Sequence, residues 1–385
     1  MTSFCSTGFF SVDYEHINHR LLLNVPSSAS STTFVPMTEI NVPKASNTFV
    51  QFQEALVIHL STVLTTKHGL IKVTLPKDAS AEKPTVTTYV SPDLHEKETI
   101  LFLIMGKGES RAPAWVSWVC AHVGMRIGSM LPYVEKAMER GWGVVILNPN
   151  ENSVITKVDA DADVNHSNHS AQEQAGPAPP DLIAGIAEFG FSDIAAHRAA
   201  IGAKTIDLED CGNWIFARMG MNNANSLFND PLTEGEKRSR VVSIPHSSNA
   251  VEHTLHVWDT FLGEHAEEIP KAKCVHFGVT SYGGYSITKL LDARPEVRKL
   301  CGRIAMGDSS HFFDCENKVN EQETEILLKE RCKNWVINNT GVPLGEDLNE
   351  VKLHVPSYSA GTNVHGEIPG RIVDEAFHWF DSFEL

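Results

Sequence analysis

The sequence predicts an α/β protein in three layers, with a mostly parallel sheet and helices on both of its faces. Three segments carry this expectation: Thr99 to Met105 (TILFLIM), Trp142 to Leu147 (WGVVIL) and Cys274 to Val279 (CVHFGV). Each is apolar along nearly its whole length, as strands buried on both faces of a parallel sheet must be. Stretches with helical spacing lie between such runs, and alternating strand and helix builds a parallel sheet covered on both sides. A chain of 385 residues, 42% hydrophobic, can bury one large core or one core with a smaller module attached.

Taken in order, Met1 to about Pro43 is rich in Ser and Thr with little helical period, so residues 1–48 read as a loosely ordered arm or an edge element. Residues 49–385 read as the main domain. Glu54 to Leu64 has a helical apolar stripe, Leu70 to Leu75 alternates as a strand, and Thr85 to Val90 offers a second strand. Together they suit the antiparallel edge of a mixed sheet. Leu131 to Arg140 is helical and leads into the WGVVIL strand. From Asn152 to Ile244 the pattern breaks into Asp, Asn, His, Ala and Pro-rich stretches with short helical pieces at Asp181 to Phe189 and Asp193 to Ile201. That span, 153–244, reads as an insertion, either a cap or a flexible segment. Ser247 or Ser248 can cap a helix through Ala250 to Leu262. After the CVHFGV strand come a helix at Tyr285 to Leu291, a strand at Arg303 to Met306, a long helix at Glu321 to Asn338, a strand at Leu353 to Ala360 and a closing helix at Glu375 to Phe383.

Charge and cysteine usage exclude some functions. A formal charge of −16 opposes a nonspecific grip on nucleic-acid phosphates, so no direct nucleic-acid contact is expected. The short basic run Lys237 to Arg240 does not offset it. Seven cysteines without C-x-x-C spacing indicate neither a disulfide framework nor a zinc site, and a reducing compartment follows. No cofactor or metal is called for. Asp159, Asp161 and Asp163 imitate the start of a calcium loop, but Val164 stands where Gly is required and Ser170 where the bidentate Glu belongs. His166 and His169 have ligand-like spacing in a polar segment better read as a solvated loop. With no signal peptide or membrane span legible, the protein is expected in the cytoplasm, the nucleus or both, with the sequons at Asn165, Asn168 and Asn338 unused and the final Glu-Leu not acting as an ER-retrieval tail.

One constellation could carry chemistry. In Val279-Thr280-Ser281-Tyr282-Gly283-Gly284, Ser281 follows a buried strand and precedes a helix, the place of the nucleophile in an α/β-hydrolase-like fold. Small residues belong two before and two after it. Gly283 satisfies the second position, while Val279 stands at the first. The same string also suits a Ser-Gly turn closing an ordinary strand. A serine needs a histidine to take its proton and an acid to orient that histidine, in the chain order Ser, acid, His. Asp308 ends the next strand and His365 follows the last one, so both would project from the sheet edge that carries Ser281. Taken singly, Asp308 could cap a turn with Ser309 and Ser310, and His365 could be a loop residue. The oxyanion donors would be the backbone of Tyr282 and of Gly106 or Lys107 in the Met105-Gly106-Lys107-Gly108 loop, which could equally be a plain turn. His311 is a spare base candidate, and Trp115, Trp118, Trp258 and Trp335 read as packing residues.

These strings resemble one family. Gly141 to Asn152 (GWGVVILNPNEN), His253 to Asp259 (HTLHVWD), Ser281-Tyr282-Gly283-Gly284, Asp308-Ser309 and Ser359-Ala360-Gly361-Thr362 with His365 are similar, in order, to the Argonaute-binding-protein-two (Arb-two) domain from about Gln53 to Phe380. The resemblance implies an α/β-hydrolase-like domain found in a fission-yeast Argonaute chaperone, in some class II histone deacetylases and in an animal cotranscriptional regulator. It implies partners among Argonaute or chromatin-complex proteins and an interaction module, while the order and placement of Ser281, Asp308 and His365 offer the alternative of an active esterase, thioesterase or amidase on a small-molecule or acyl substrate. Carried over, the triad is Ser281, Asp308 and His365, and Asn148 and Asn150 belong to the loop flanking the site. Thr280 and Met105 stand where animal relatives have His.

Overall fold

The computed structural model describes residues 47–80, 83–157, 177–221, 223–263, 266–267, 270–311, 318–352 and 354–384, together with the backbone of four strands nearer the N-terminus. Those four, β1 (Phe4–Thr7), β2 (Phe10–Glu15), β3 (Arg20–Val25) and β4 (Thr33–Pro36), form an antiparallel sheet in sequence order. The Asp159 to Asp163 run, His166, His169 and the sequons at Asn165 and Asn168 fall outside the described residues.

The remaining strands are β5 (Ile71–Leu75), β6 (Val86–Val90), β7 (Thr99–Ile104), β8 (Gly143–Ile146), β9 (Ser153–Lys157), β10 (Ser239–Ser243), β11 (Cys274–Thr280), β12 (Cys301–Gly307), β13 (Cys332–Val336), β14 (Asp347–Lys352) and β15 (Val355–Ser359). Nine of them make one sheet in the order β14-β15-β13-β12-β11-β7-β8-β6-β5. From β15 to β8 every neighbouring pair is parallel, whereas β14 on one side and β6 on the other pair antiparallel. This is the mostly parallel α/β sheet the apolar runs predict, with an antiparallel edge where one was expected.

Alternation along β7 shows why the runs are apolar throughout. Leu101 and Leu103 pack in one core with Tyr133 of the helix Leu131–Glu139 and with Phe377 and Phe380 of the helix Val373–Asp381. Phe102 points to the opposite face, 5.7 Å from both Phe277 and Trp258, the latter on the helix Ala250–Phe261. A strand covered on both faces has no position to give to water.

Contacts divide the chain into two compact units, residues 1–74, 87–150 and 253–385 in one and 75–86 and 151–252 in the other. The second unit pairs β9 with β10 antiparallel. Its helices Pro180–Glu188, Asp193–Ala203 and Leu208–Phe216 enclose Leu182, Ile186, Ala199, Cys211 and Ile215.

Two local expectations need correction. The helix expected from Glu321 to Asn338 is Lys318–Arg331, and the chain then enters β13, where Cys332, Asn334 and Trp335 are buried between β12 and β15. Pairing with distant strands overrides the helical spacing that continues across Arg331. The cap of Ala250–Phe261 is Asn249 rather than Ser247 or Ser248, since its Oδ1 accepts from the Val251 and Glu252 amides at 3.0 and 2.9 Å. Strand β14 went unread because an edge strand facing water can be as polar as Asp-Leu-Asn-Glu-Val-Lys.

Candidate functional site

Ser281 sits between the end of β11 and the helix Gly283–Ala293 with φ of 50°, a left-handed conformation that L-residues other than Gly, Asn and Asp seldom adopt. Three backbone bonds hold it there. Its N–H donates to Gly307 at 3.0 Å, and its carbonyl accepts from Gly284 and Ser310, each at 3.0 Å. The helix can start this close to the neighbouring strands because Gly284 lacks a side chain: a Cβ there would stand 1.5 Å from Ser309 Oγ. Val279, where a smaller residue is usual, fits because it is still within the strand, buried and paired with Ile104 and Met306.

Asp308 follows β12 with φ of 44°, and its N–H donates to the Trp335 carbonyl at 2.7 Å. His365 opens a short 3-10 turn, His365–Glu367, beyond β15. The His365 Nδ1 to Asp308 Oδ2 distance is 2.6 Å. Ser281 and His365 line one pocket of about 220 Å³, shared with Gly106, Lys107 and Asn150. No hydrogen bond joins Ser281 Oγ to His365 among those of the described residues. A larger cavity of about 320 Å³, lined by Arg126, Ile127, Gly361, Arg371 and Asp374 among others, contains none of the three predicted residues.

The Met105 to Ala112 loop is set by the two asparagines. Asn150 donates through Nδ2 to the Gly106 and Ser110 carbonyls, both at 2.9 Å, and accepts from the Gly108 N–H at 3.2 Å. Asn148 is buried, and its Oδ1 accepts from the Ala112 N–H at 3.0 Å. Its own N–H donates to His253 Nε2 at 3.0 Å. Burial, aided by His256 nearby, lowers the His253 pKa to about 3, so the imidazole is neutral and can accept. Both asparagines therefore spend side-chain bonds on the loop. Gly106 lies directly against Ser281: a Cβ on it would stand 2.7 Å from Ser281 Cβ. The Lys107 ammonium is 4.5 Å from the centre of the Tyr282 ring, a cation–π contact beside the turn.

Of the predicted residues, Ser281, His365, Gly106, Lys107 and Asn150 line the pocket, Asp308 and Tyr282 stand next to it through His365 and Lys107, and Asn148 lies buried behind the loop. His311, the spare base, is fully buried and does not line it. Sequence reasoning missed other residues of the lining, among them Phe49 and Gln53 of the helix Asn47–Thr66 and Trp115, Val116 and Trp118. Trp115 and Trp118 also pack against core clusters, as expected, and nothing local marks them as pocket-lining. The basic run is neutralised in part, with Lys237 Nζ 2.8 Å from Glu234. Among the described residues no cluster of three or more His, Cys, Asp or Glu could hold a metal ion, and no helix is long and apolar enough to cross a membrane.

Comparison with known proteins agrees with the resemblance seen in the strings. The Arb2 domain matches residues 39–186, which include the Gly106 loop and the Asn148 to Asn152 segment. A cotranscriptional regulator ARB2A homolog of Gallus gallus is 27% identical over 332 residues, 85% of this chain and 69% of that protein. The cotranscriptional regulator ARB2A of Homo sapiens is 24% identical over 317 residues, 81% of this chain and 65% of that protein. Among solved structures, a histone deacetylase from Saccharomyces cerevisiae aligns over 86% of this chain and 98% of that one, with 12% identity and a TM-score of 0.43. The histone deacetylase Clr3 aligns over 88% and 41%, with 9% identity and a TM-score of 0.40. The chain thus resembles the Arb2-domain family, as its motifs lead one to expect.

Proposed function

We propose that this protein, similar to Arb2-domain proteins named as cotranscriptional regulators, works in gene regulation and carries a serine acyl-transfer site in its hydrolase-like unit. The observation that carries the chemical part is the 2.6 Å contact of His365 Nδ1 with Asp308, in a pocket that also holds Ser281 on a left-handed turn. With Nδ1 engaged by the carboxylate, Nε2 is the nitrogen left to accept the Ser281 proton. Ser281 Oγ then adds to the carbonyl carbon of an ester, thioester or amide. The oxyanion would be held by the backbone N–H of Tyr282 and that of Gly106 or Lys107, and His365 returns the proton to the departing group. Water attacking the acyl-serine by the same path regenerates the enzyme. No cofactor enters these steps.

Labelling with a fluorophosphonate tests this. Labelling that disappears in Ser281→Ala is expected. Folded wild-type protein that never labels would leave a hydrolase scaffold without hydrolase chemistry.

A second reading, an interaction module, is favoured by the relatives' names, which describe regulators and not enzymes. On it, the partners are proteins of Argonaute or chromatin complexes in the nucleus or cytoplasm. Affinity purification from the native cell should recover such proteins, and recovery of none where they are abundant would count against it.

A further inference from the structure

Among the described residues, three cations on the main sheet have no carboxylate partner. Lys136, Arg140, Arg294, Arg298 and Arg371 each form an ion pair with Asp or Glu, whereas no ion pair of the described residues includes Arg303, Arg331 or Lys333. These three stand against aromatic rings instead. The Arg331 guanidinium is 5.5 Å from the centre of the Phe383 ring, and that of Arg303 is 5.6 Å from the same ring. Arg303 is also 4.0 Å from the Trp379 ring, and Lys333 Nζ is 4.5 Å from Trp379 and 4.5 Å from Tyr358. Cation and ring thus alternate along a ladder, Arg331, Phe383, Arg303, Trp379, Lys333 and Tyr358, and all six residues are half-buried.

The charges in this row oppose one another. Burial, and then the neighbouring Arg331, lower the Arg303 pKa, and no carboxylate acts on it. Glu375 and Asp347 do act on Lys333, yet burial outweighs them and its pKa falls as well. Arg303 Nη1 donates to the Glu330 carbonyl at 2.9 Å, and Arg331 Nη1 to the Cys301 carbonyl. A guanidinium has five N–H donors, so each arginine keeps others for an incoming oxygen. Position leaves Ser281 clear. Arg303 and Lys333 lie near the starts of β12 and β13, whereas Ser281 and Asp308 follow the ends of β11 and β12, and none of the six residues lines the serine pocket.

We propose that this ladder is a docking surface for an acidic peptide segment of a partner protein, whose Asp and Glu carboxylates pair with Arg303, Arg331 and Lys333. A nucleic acid suits it less, because the net charge repels a long polyanion and the rings on which bases would stack are already engaged by cations. Carboxylates on a flexible chain can space themselves along the row, as a single phosphate cannot. The surface serves whether or not Ser281 is a nucleophile.

The test titrates the full chain with hexaglutamate and with hexaglutamine, both acetylated and amidated, following the Trp379 indole resonance by NMR. Hexaglutamate should bind about tenfold more tightly at about 50 mM salt and lose most of that preference at about 500 mM, where exposed charge pairs are screened. Lys333→Gln, which removes no hydrogen bond of the described residues, should weaken hexaglutamate binding about two- to fivefold, and Arg303→Gln with Arg331→Gln about tenfold. Should that double variant fail to fold, Lys333→Gln alone carries the decision. Equal affinity for the two peptides, no shift at Trp379, or unchanged affinity in Lys333→Gln would overturn the proposal. Tighter binding of hexathymidylate or of inorganic phosphate at the same resonance would overturn it in favour of a nucleic acid or a phosphate group.

Discussion

His365 Nδ1 and Asp308 Oδ2 meet at 2.6 Å although 57 residues separate them in the chain. What brings them together is the sheet order, in which β12, β13 and β15 are adjacent and parallel, so that the chain leaves β12 and β15 at the same edge.

Replacing Asp308 with Asn keeps the size of the side chain but removes the charge and the obligate acceptor for Nδ1–H. The rate of fluorophosphonate labelling at Ser281 is expected to fall about 10³- to 10⁴-fold. Stability should change by less than about 1 kcal/mol, because the pair is open to solvent. A labelling rate within tenfold of wild type would remove Asp308 from the mechanism.

The left-handed turn at Ser281 should carry measurable strain. A φ of 50° costs an L-residue about 1 kcal/mol that glycine avoids. Ser281→Gly is therefore expected to melt about 2 °C above Ser281→Ala, both being inactive. Equal midpoints, read by calorimetry, would show an unstrained turn.

Gly106→Ala places a Cβ 2.7 Å from Ser281 Cβ and 3.1 Å from the Thr280 carbonyl. Loop and nucleophile must move apart, with a cost of about 1–3 kcal/mol to folding. Labelling should slow by about 100-fold or more, the usual consequence of a displacement near 1 Å in a reacting pair. Unchanged labelling would mean that the loop does not set the nucleophile.

Acid should destabilise the protein through two buried histidines. Burial depresses His253 to about 3 and His276 to about 4, below the value near 6.5 they regain on unfolding. The unfolded chain thus binds more protons across this interval. Their contribution is complete above about pH 6.5 and is lost as pH falls toward 4 and then 3, at up to about 1.4 kcal/mol per pH unit for each group. His253→Leu should flatten the slope between pH 6 and 4 by about one proton. At pH 7.5 it should cost about 1–3 kcal/mol, because the Asn148 N–H loses its acceptor. Urea unfolding across this range, with wild type and variant showing the same slope, would refute the assignment.

The sequence alone determined those features whose causes are local. Strands buried on both faces must be apolar at every position, so β7, β8 and β11 were legible as runs. The serine between such a strand and a helix marked the turn, and the order of Ser281, Asp308 and His365 followed from where strands end. Only the tertiary structure decided the rest. It turned residues 332–336 into β13, since partners on both sides outweigh helical spacing. It engaged Asn148 and Asn150 with a loop, and it brought Phe49, Trp115 and Trp118 into the lining of the pocket that holds Ser281. A pocket wall is assembled from segments far apart in the chain, and burial looks the same in sequence whether a side chain faces a core or a cavity.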